Sequence, residues 1–347
     1  MSMRKLVVLS RRGRDSIHPG HWDRIRRSAD VTVVQRDDAP DRGEAIRLLA
    51  GADLIGSTNL CLPLMDAHLL DGLPRLRGIV LYATGYDHLD VDLLRSRGVG
   101  LSVLPAYATI AVAEHSMAML LALATRLHLA HDRSRGAGPV DASLRGLELS
   151  GRTLGVVGVG RIGTRVAELA GAFGMRVIGS DIDPSAVARA TACGTPMGEL
   201  PWLLSQSDAV AVCASRSFGA PPVLGGEELG ELRQGALLTN VTRSALVDTA
   251  AVVAVVRSGW LRGYAVDDIV LDPAVDGDLL DEGKVLQTGH SAWWRDEVLD
   301  RGSRMWGERL VAAVEDRPLD TVTWPGADVT ARGDSQAGNS AEIRVRQ

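Results

Sequence analysis

The run from Gly155 to Asp181, GVVGVGRIGTRVAELAGAFGMRVIGSD, constrains this chain more than any other stretch. Leu154 to Val157 is a short apolar run of the kind that forms a buried strand, and Gly158, Gly160 and Gly163 follow it in the G-x-G-x-x-G spacing. Each glycine has a separate physical task. The first permits a tight turn, the second lets backbone approach a pyrophosphate, and the third lets the next helix lie close on the strand. Val166, Leu169, Ala170 and Phe173 then recur at helical spacing, Gly174 is a stop signal, and Arg176 to Gly179 reads as a second strand ending at Asp181. A helix N-terminus favours a phosphate, and an acid at the end of the second strand meets a ribose. The stretch predicts a dinucleotide site. Gly158, Gly160, Arg161, Ile162, Gly163 and Asp181 are its expected cofactor residues.

Short strand patterns precede this unit at Leu6 to Leu9, Val31 to Val34, Leu54 to Gly56, Gly78 to Leu81 and Gly100 to Val103. Helical patterns fall between them at His21 to Ser28, Arg42 to Leu49, Pro63 to Leu70 and Val91 to Arg97. Alternation of this kind predicts a parallel sheet. Ala111 to Leu129 reads as one long apolar helix, followed by loop from Asp132 to Gly146. After Asp181 the alternation resumes, with strands expected at Ala209 to Ala214, Ala236 to Asn240, Gly263 to Val266 and Lys284 to Gln287. A helical pattern from Arg295 to Asp316 is expected to return to the first domain. The polar end of the chain, 327–347, reads as a flexible tail.

Composition narrows the partners. With 347 residues the chain suits two domains, and its net charge of -5 leaves no basic footprint for nucleic acid. Met117 to Ala124, the longest apolar stretch, is too short for a bilayer, so no membrane partner is expected. Cys61, Cys193 and Cys213 are few, odd in number and widely spaced, which fits reduced thiols in a cytoplasm and no metal site.

Candidate chemistry lies at the ends of the later strands. Arg243 follows a strand that closes in polar residues, where open α/β sheets bind ligands, and its guanidinium can clamp a carboxylate. The next strand ends in Asp267 and Asp268, with Asp272 and Pro273 soon after, and the last leads to Thr288, Gly289 and His290. An anion clamp, a carboxylate and a titratable imidazole therefore stand on successive strand ends.

These residues resemble the D-isomer-specific 2-hydroxyacid dehydrogenases, a family that includes phosphoglycerate, D-lactate, hydroxypyruvate, formate and phosphite dehydrogenases and the C-terminal-binding corepressors. Four motifs carry the resemblance: ATGYDHLDVDLLRSRGV from Ala83, VAEHSMAMLLAL from Val112, LELSGRTLGVVGVGRIGTRVA from Leu147 and NVTRSALVDTAAVVAVVRSGWLRGYAVDD from Asn240. The resemblance implies an α/β protein of two Rossmann-like domains, a flavodoxin-like substrate domain from residues 1–110 and 293–326 and an inserted NAD-binding parallel-sheet domain from 111–292. It makes Arg243 the substrate-binding arginine and His290 the catalytic acid and base, with Gly289 in place of the family's proline. The family's glutamate partner of that histidine falls on Asp272, one methylene and about 1.5 Å shorter. Thr242 and Asp267 go to the cofactor side, Asp267 at the position that holds the nicotinamide carboxamide. Asp181 matches the acid that binds the adenosine ribose and favours NAD over NADP. Ala83, Thr84, Gly85 and Tyr86 occupy the loop that binds the substrate carboxylate, and Trp293 is a candidate aromatic wall.

Ser244 replaces the glycine that usually follows the arginine, and Val212 to Arg216 replaces a His-x-Pro pattern. His115 reads as a packing histidine, and the helix from Val112 resembles the family's dimerisation element, so a homodimer is expected. The leading expectation is an NAD-dependent oxidoreductase acting on a small 2-hydroxy or 2-oxo acid. Two other readings keep the fold: action on another compact oxyanion such as a phosphonate, phosphite or formate, and a non-catalytic NAD sensor.

Overall fold

The computed structural model describes residues 3–319 and Val322. The expected tail at 327–347 lies outside the described residues. The chain divides into two compact units: one takes the chain up to Tyr107 and again from Arg295, the other Ala108–Trp294.

The first unit carries β1 (Arg4–Ser10), β2 (Ala29–Gln35), β3 (Leu54–Thr58), β4 (Gly78–Tyr82) and β5 (Gly100–Ser102). All pair in parallel, in the order β2-β1-β3-β4-β5. The centres of these strands are apolar because both faces of a parallel sheet are covered by helices, and Val7, Leu9, Ile55, Ile79 and Leu81 are fully buried. The helix Asp296–Val314 packs on this sheet, with Trp306 fully buried and its indole N–H donating to Val80 O at 3.0 Å. Gly56 and Gly302 make that approach possible, since a Cβ on Gly56 would meet Leu310 and one on Gly302 would overlap the Tyr82 hydroxyl.

The second unit carries β6 (Thr153–Val157), β7 (Arg176–Ser180), β8 (Ala209–Val212), β9 (Leu237–Asn240), β10 (Gly263–Val266) and β11 (Val285–Gln287). Its parallel sheet has the order β11-β10-β9-β8-β6-β7. A single bridge from Gly179 to Met197 continues it beyond β7. The strand order reverses beside β6, which puts the glycine loop at a topological switch point.

Two helix expectations change. The long helix expected over Ala111 to Leu129 is two helices, Thr109–Thr125 and Leu127–Ser134, bent by 65° at Arg126. Arg126 takes a left-handed backbone, φ 59, and its largely buried guanidinium donates to Gly283 O at 3.1 Å and Glu282 O at 2.6 Å. Carbonyls more than 150 residues away along the chain thus set the break. The helix expected from Pro63 begins only at Ala67, because the Asp66 carboxylate accepts from Leu69 N at 2.8 Å and fixes the start there. Among the described residues, no single helix is long and apolar enough to cross a membrane.

Candidate functional site

The glycine loop has the geometry that its three expected tasks require. Gly158 has φ +89, and a Cβ there would sit 2.5 Å from the backbone N and Cα of Ala214 at the end of β8. Gly163 faces the Gly158 carbonyl oxygen so closely that any side chain would overlap it. Gly160 has nothing within 4 Å of its Cβ position and lies exposed. It is the N-cap of the helix Arg161–Ala172, whose first turn has no side-chain cap and no acidic residue. The free N–H groups and the positive helix end are left for an anion, and a side chain at Gly160 would fill the space that anion needs. Arg161 is exposed and Ile162 half-buried at this entrance.

Asp181, at the end of β7, accepts from Val159 N at 2.8 Å through Oδ2 and from Asp183 N at 2.9 Å through Oδ1. Each oxygen keeps a lone pair for a ribose hydroxyl. The residues therefore fit an adenine dinucleotide. Beneath the loop, full burial pushes the Cys213 thiol up to about 12, which leaves it unreactive. Cys61, Cys193 and Cys213 are free thiols, and among the described residues no group of His, Cys, Asp or Glu is placed to hold a metal ion.

Arg243 leaves β9 through a turn built by Asn240. The buried Asn240 amide donates to Arg243 O at 2.7 Å, while its Oδ1 accepts from Thr242 N at 3.1 Å and Thr242 Oγ1 at 3.2 Å. Arg243 is half-buried and donates to Thr242 O at 3.0 Å. Asn240 was not among the expected site residues; its signal was a buried amide closing an apolar strand.

His290 follows β11, two strands away, and is exposed. Its backbone φ is 59 and that of Gly289 is 63. A proline at 289 could not adopt this conformation, because its ring holds φ near about −65°. The left-handed backbone at His290 costs on the order of 1–2 kcal/mol. Asp267, 6% exposed, holds the segment: Oδ1 accepts from Thr288 Oγ1 and Ser291 N, both at 2.7 Å, and Oδ2 from Ala292 N at 3.0 Å. His115 joins in, its Nε2 standing 3.0 Å from Thr288 Oγ1 and 3.7 Å from Asp267 Oδ1. The packing role expected for His115 is therefore directed at the histidine loop.

Asp272 is placed differently from its expectation. It is exposed and caps the helix Pro273–Asp281, accepting from Ala274 N at 2.9 Å, and the structure does not join it to His290. The physical reason is local: an Asp before Pro at a helix start satisfies a nearby N–H with its short side chain. Asp268 is also committed, accepting from Ser244 Oγ at 2.6 Å and Ile269 N at 3.0 Å. Trp293 and Trp294 meet edge to face at 5.0 Å, with Trp294 53% exposed.

In the first unit, Ala83, Thr84, Gly85 and Tyr86 form the turn after β4. Ala83 O accepts from Leu104 N at 2.8 Å, Thr84 Oγ1 donates to Leu104 O at 2.7 Å, and Tyr86 O accepts from Leu89 N at 2.9 Å. The turn is thus anchored to the segment after β5.

Comparison with known proteins matches residues 117–292 to the family model described as D-isomer specific 2-hydroxyacid dehydrogenase, NAD binding domain. A D-3-phosphoglycerate dehydrogenase of Mycobacterium leprae (strain TN) is 32% identical over 304 residues, covering 86% of this chain and 56% of that protein. The chain spans about half the length of the mycobacterial phosphoglycerate dehydrogenases it matches. A glyoxylate reductase of Aeropyrum pernix is 33% identical over 304 residues, 85% of this chain and 90% of that one. Among solved structures, D-lactate dehydrogenase of Aquifex aeolicus, complexed with NAD and lactic acid, has a TM-score of 0.72 at 25% identity, covering 89% of this chain and 96% of that chain.

Proposed function

The chain belongs to the D-isomer specific 2-hydroxyacid dehydrogenase family, and from that premise we propose that it is an NAD-dependent oxidoreductase acting at C2 of a small 2-hydroxy or 2-oxo acid. The observation that carries the reading is a single sheet edge bearing an uncapped glycine-loop helix, Arg243 and His290 on the loops after β6, β9 and β11. Bound NAD supplies the hydride chemistry. Gly158, Gly160, Arg161, Ile162 and Gly163 would cradle its pyrophosphate, Asp181 its ribose diol, and Thr242 and Asp267 its nicotinamide end. The carboxylate at Asp181 repels a 2′-phosphate, which supports NAD over NADP.

Arg243 holds the substrate carboxylate and polarises the C2 carbonyl. In reduction, protonated His290 gives its proton to the forming C2 alkoxide, and in oxidation it takes that proton back. Trp293 offers an apolar wall to the substrate side chain. Asp272 is not needed for this scheme. The relatives named above act, by their names, on phosphoglycerate, glyoxylate and lactate. They support a small acid and leave its side chain open. The same reading places the protein in a cytoplasm, supported by its free thiols, and as a homodimer, supported by the family resemblance of the helix Thr109–Thr125.

The test is NADH absorbance followed against a panel of 2-oxo acids and compact oxyanions. Turnover of at least one 2-oxo acid is expected. NADH binding with no turnover across the panel overturns the enzymatic reading in favour of a sensor.

A further inference from the structure

β10 lies between β9 and β11, and it ends in two adjacent acids whose carboxylates serve opposite neighbours. Asp267 reaches the loop after β11, accepting from Thr288 Oγ1, Ser291 N and Ala292 N. Asp268 reaches the loop after β9, accepting from Ser244 Oγ at 2.6 Å, next to Arg243. Its other oxygen accepts from Ile269 N at 3.0 Å, so this carboxylate is held at both ends.

The two left-handed residues Gly289 and His290 give the arrangement its significance. A strained backbone persists only where its surroundings over-determine it. Asp267 meets that condition by gripping the residue before the pair, Thr288, and the two after it, Ser291 and Ala292. His115 backs the same hydroxyl from the helix Thr109–Thr125. An ordinary strand-end acid caps its own loop; here consecutive acids bind loops that carry different chemistry.

We infer that Asp267 and Asp268 form a tandem staple that sets His290 against Arg243, Asp268 positioning the anion clamp through Ser244 and Asp267 positioning the proton donor through Thr288, Ser291 and Ala292. The inference rests on the proposed oxidoreductase reading for its kinetic consequences. A clamp that loses its staple binds the substrate carboxylate less well in ground and transition states alike, which raises KM. A proton donor that loses its staple is misplaced only when the alkoxide forms, which lowers kcat.

The experiment uses the full chain with S244A, S244T and T288V, measuring kcat and KM separately for the best 2-oxo acid. S244A is expected to raise KM about tenfold with kcat within about twofold, and S244T, which keeps the hydroxyl, to restore KM. T288V is expected to lower kcat about tenfold with KM within about twofold. An unchanged KM in S244A, or an unchanged kcat in T288V, overturns the staple. A wild type that turns over no 2-oxo acid overturns the proposed function instead. The staple is then read from backbone hydrogen exchange at Ser291 and Ala292, expected to quicken about tenfold in T288V; unchanged exchange overturns it.

Discussion

Two loops at the same edge of the second sheet are held by opposite means. The glycine loop after β6 keeps its shape by steric necessity: Gly158 lies against Ala214 backbone and Gly163 against the Gly158 carbonyl. The histidine loop after β11 keeps its shape by hydrogen bonds from a strand it does not belong to, chiefly those of Asp267. The first is specified by residue types at fixed spacing, the second by partners 21 to 25 positions away. The first should therefore resist changes outside itself, and the second should not.

The largest expected effect removes the chemistry and leaves the cofactor grip. His290→Ala should lower kcat about a thousandfold while NADH affinity, followed by fluorescence titration, stays within about twofold. Turnover at the wild-type rate would remove His290 from its role. Within the glycine loop, Gly163→Ala and Gly160→Ala separate folding from binding. The added methyl at Gly163 overlaps backbone and should cost about 3 kcal/mol in urea unfolding. At Gly160, with open space and φ -68, the same methyl should cost under about 0.5 kcal/mol yet weaken NADH binding about tenfold. Equal stability losses for the two variants would show that the loop is not divided in this way.

Gly289→Pro sharpens the contrast from the other side. Proline cannot reach φ 63, so the loop must release His290 from its present position, and kcat should fall about tenfold with NADH affinity unchanged. Gly289→Ala meets only ordinary contact with Ile269 and should cost about 1 kcal/mol. A Gly289→Pro variant as active as wild type would mean that the left-handed pair is dispensable.

The smallest effect concerns the approach to β11. Burial holds the His128 imidazole below its ordinary 6.5, and its Nε2 lies against Gly283, two residues before that strand. An unfolded chain therefore takes up this proton before the folded one does. The stability contribution is full above 6.5 and is lost as pH falls from there toward the depressed folded value. His128→Gln should flatten the loss in urea midpoint between about pH 7.5 and about pH 5.5. An identical slope in both proteins would show that His128 does not contribute.

The strands were legible because each writes its own apolar run, and the glycine loop because its glycines fall at fixed spacing within six residues, Gly158 to Gly163, although the backbone that Gly158 lies against is that of distant Ala214. Arg243 and His290 were legible as residues just beyond the ends of β9 and β11. Asp272 was legible as an acid of suitable spacing and chemistry for an imidazole partner, but not as the cap of the helix Pro273–Asp281, where it accepts from Ala274 N. His115 was legible only as a packing histidine, since nothing in an apolar helix says that one ring nitrogen will meet Thr288. The break at Arg126 was hidden likewise, because its acceptors, Gly283 and Glu282, lie in a different motif.

The sequence by itself determined two parallel α/β sheets, a helix N-terminus left without a side-chain cap, and an arginine and a histidine on the loops after two strands. These follow from period, spacing and steric exclusion, which act over a few residues. Only the tertiary structure decided which acid serves which loop, that Asp267 grips both sides of His290 and that Asp268 ties down Ser244. A carboxylate accepts from whichever donor folding brings within about 3 Å, and that choice is made between strands rather than along one.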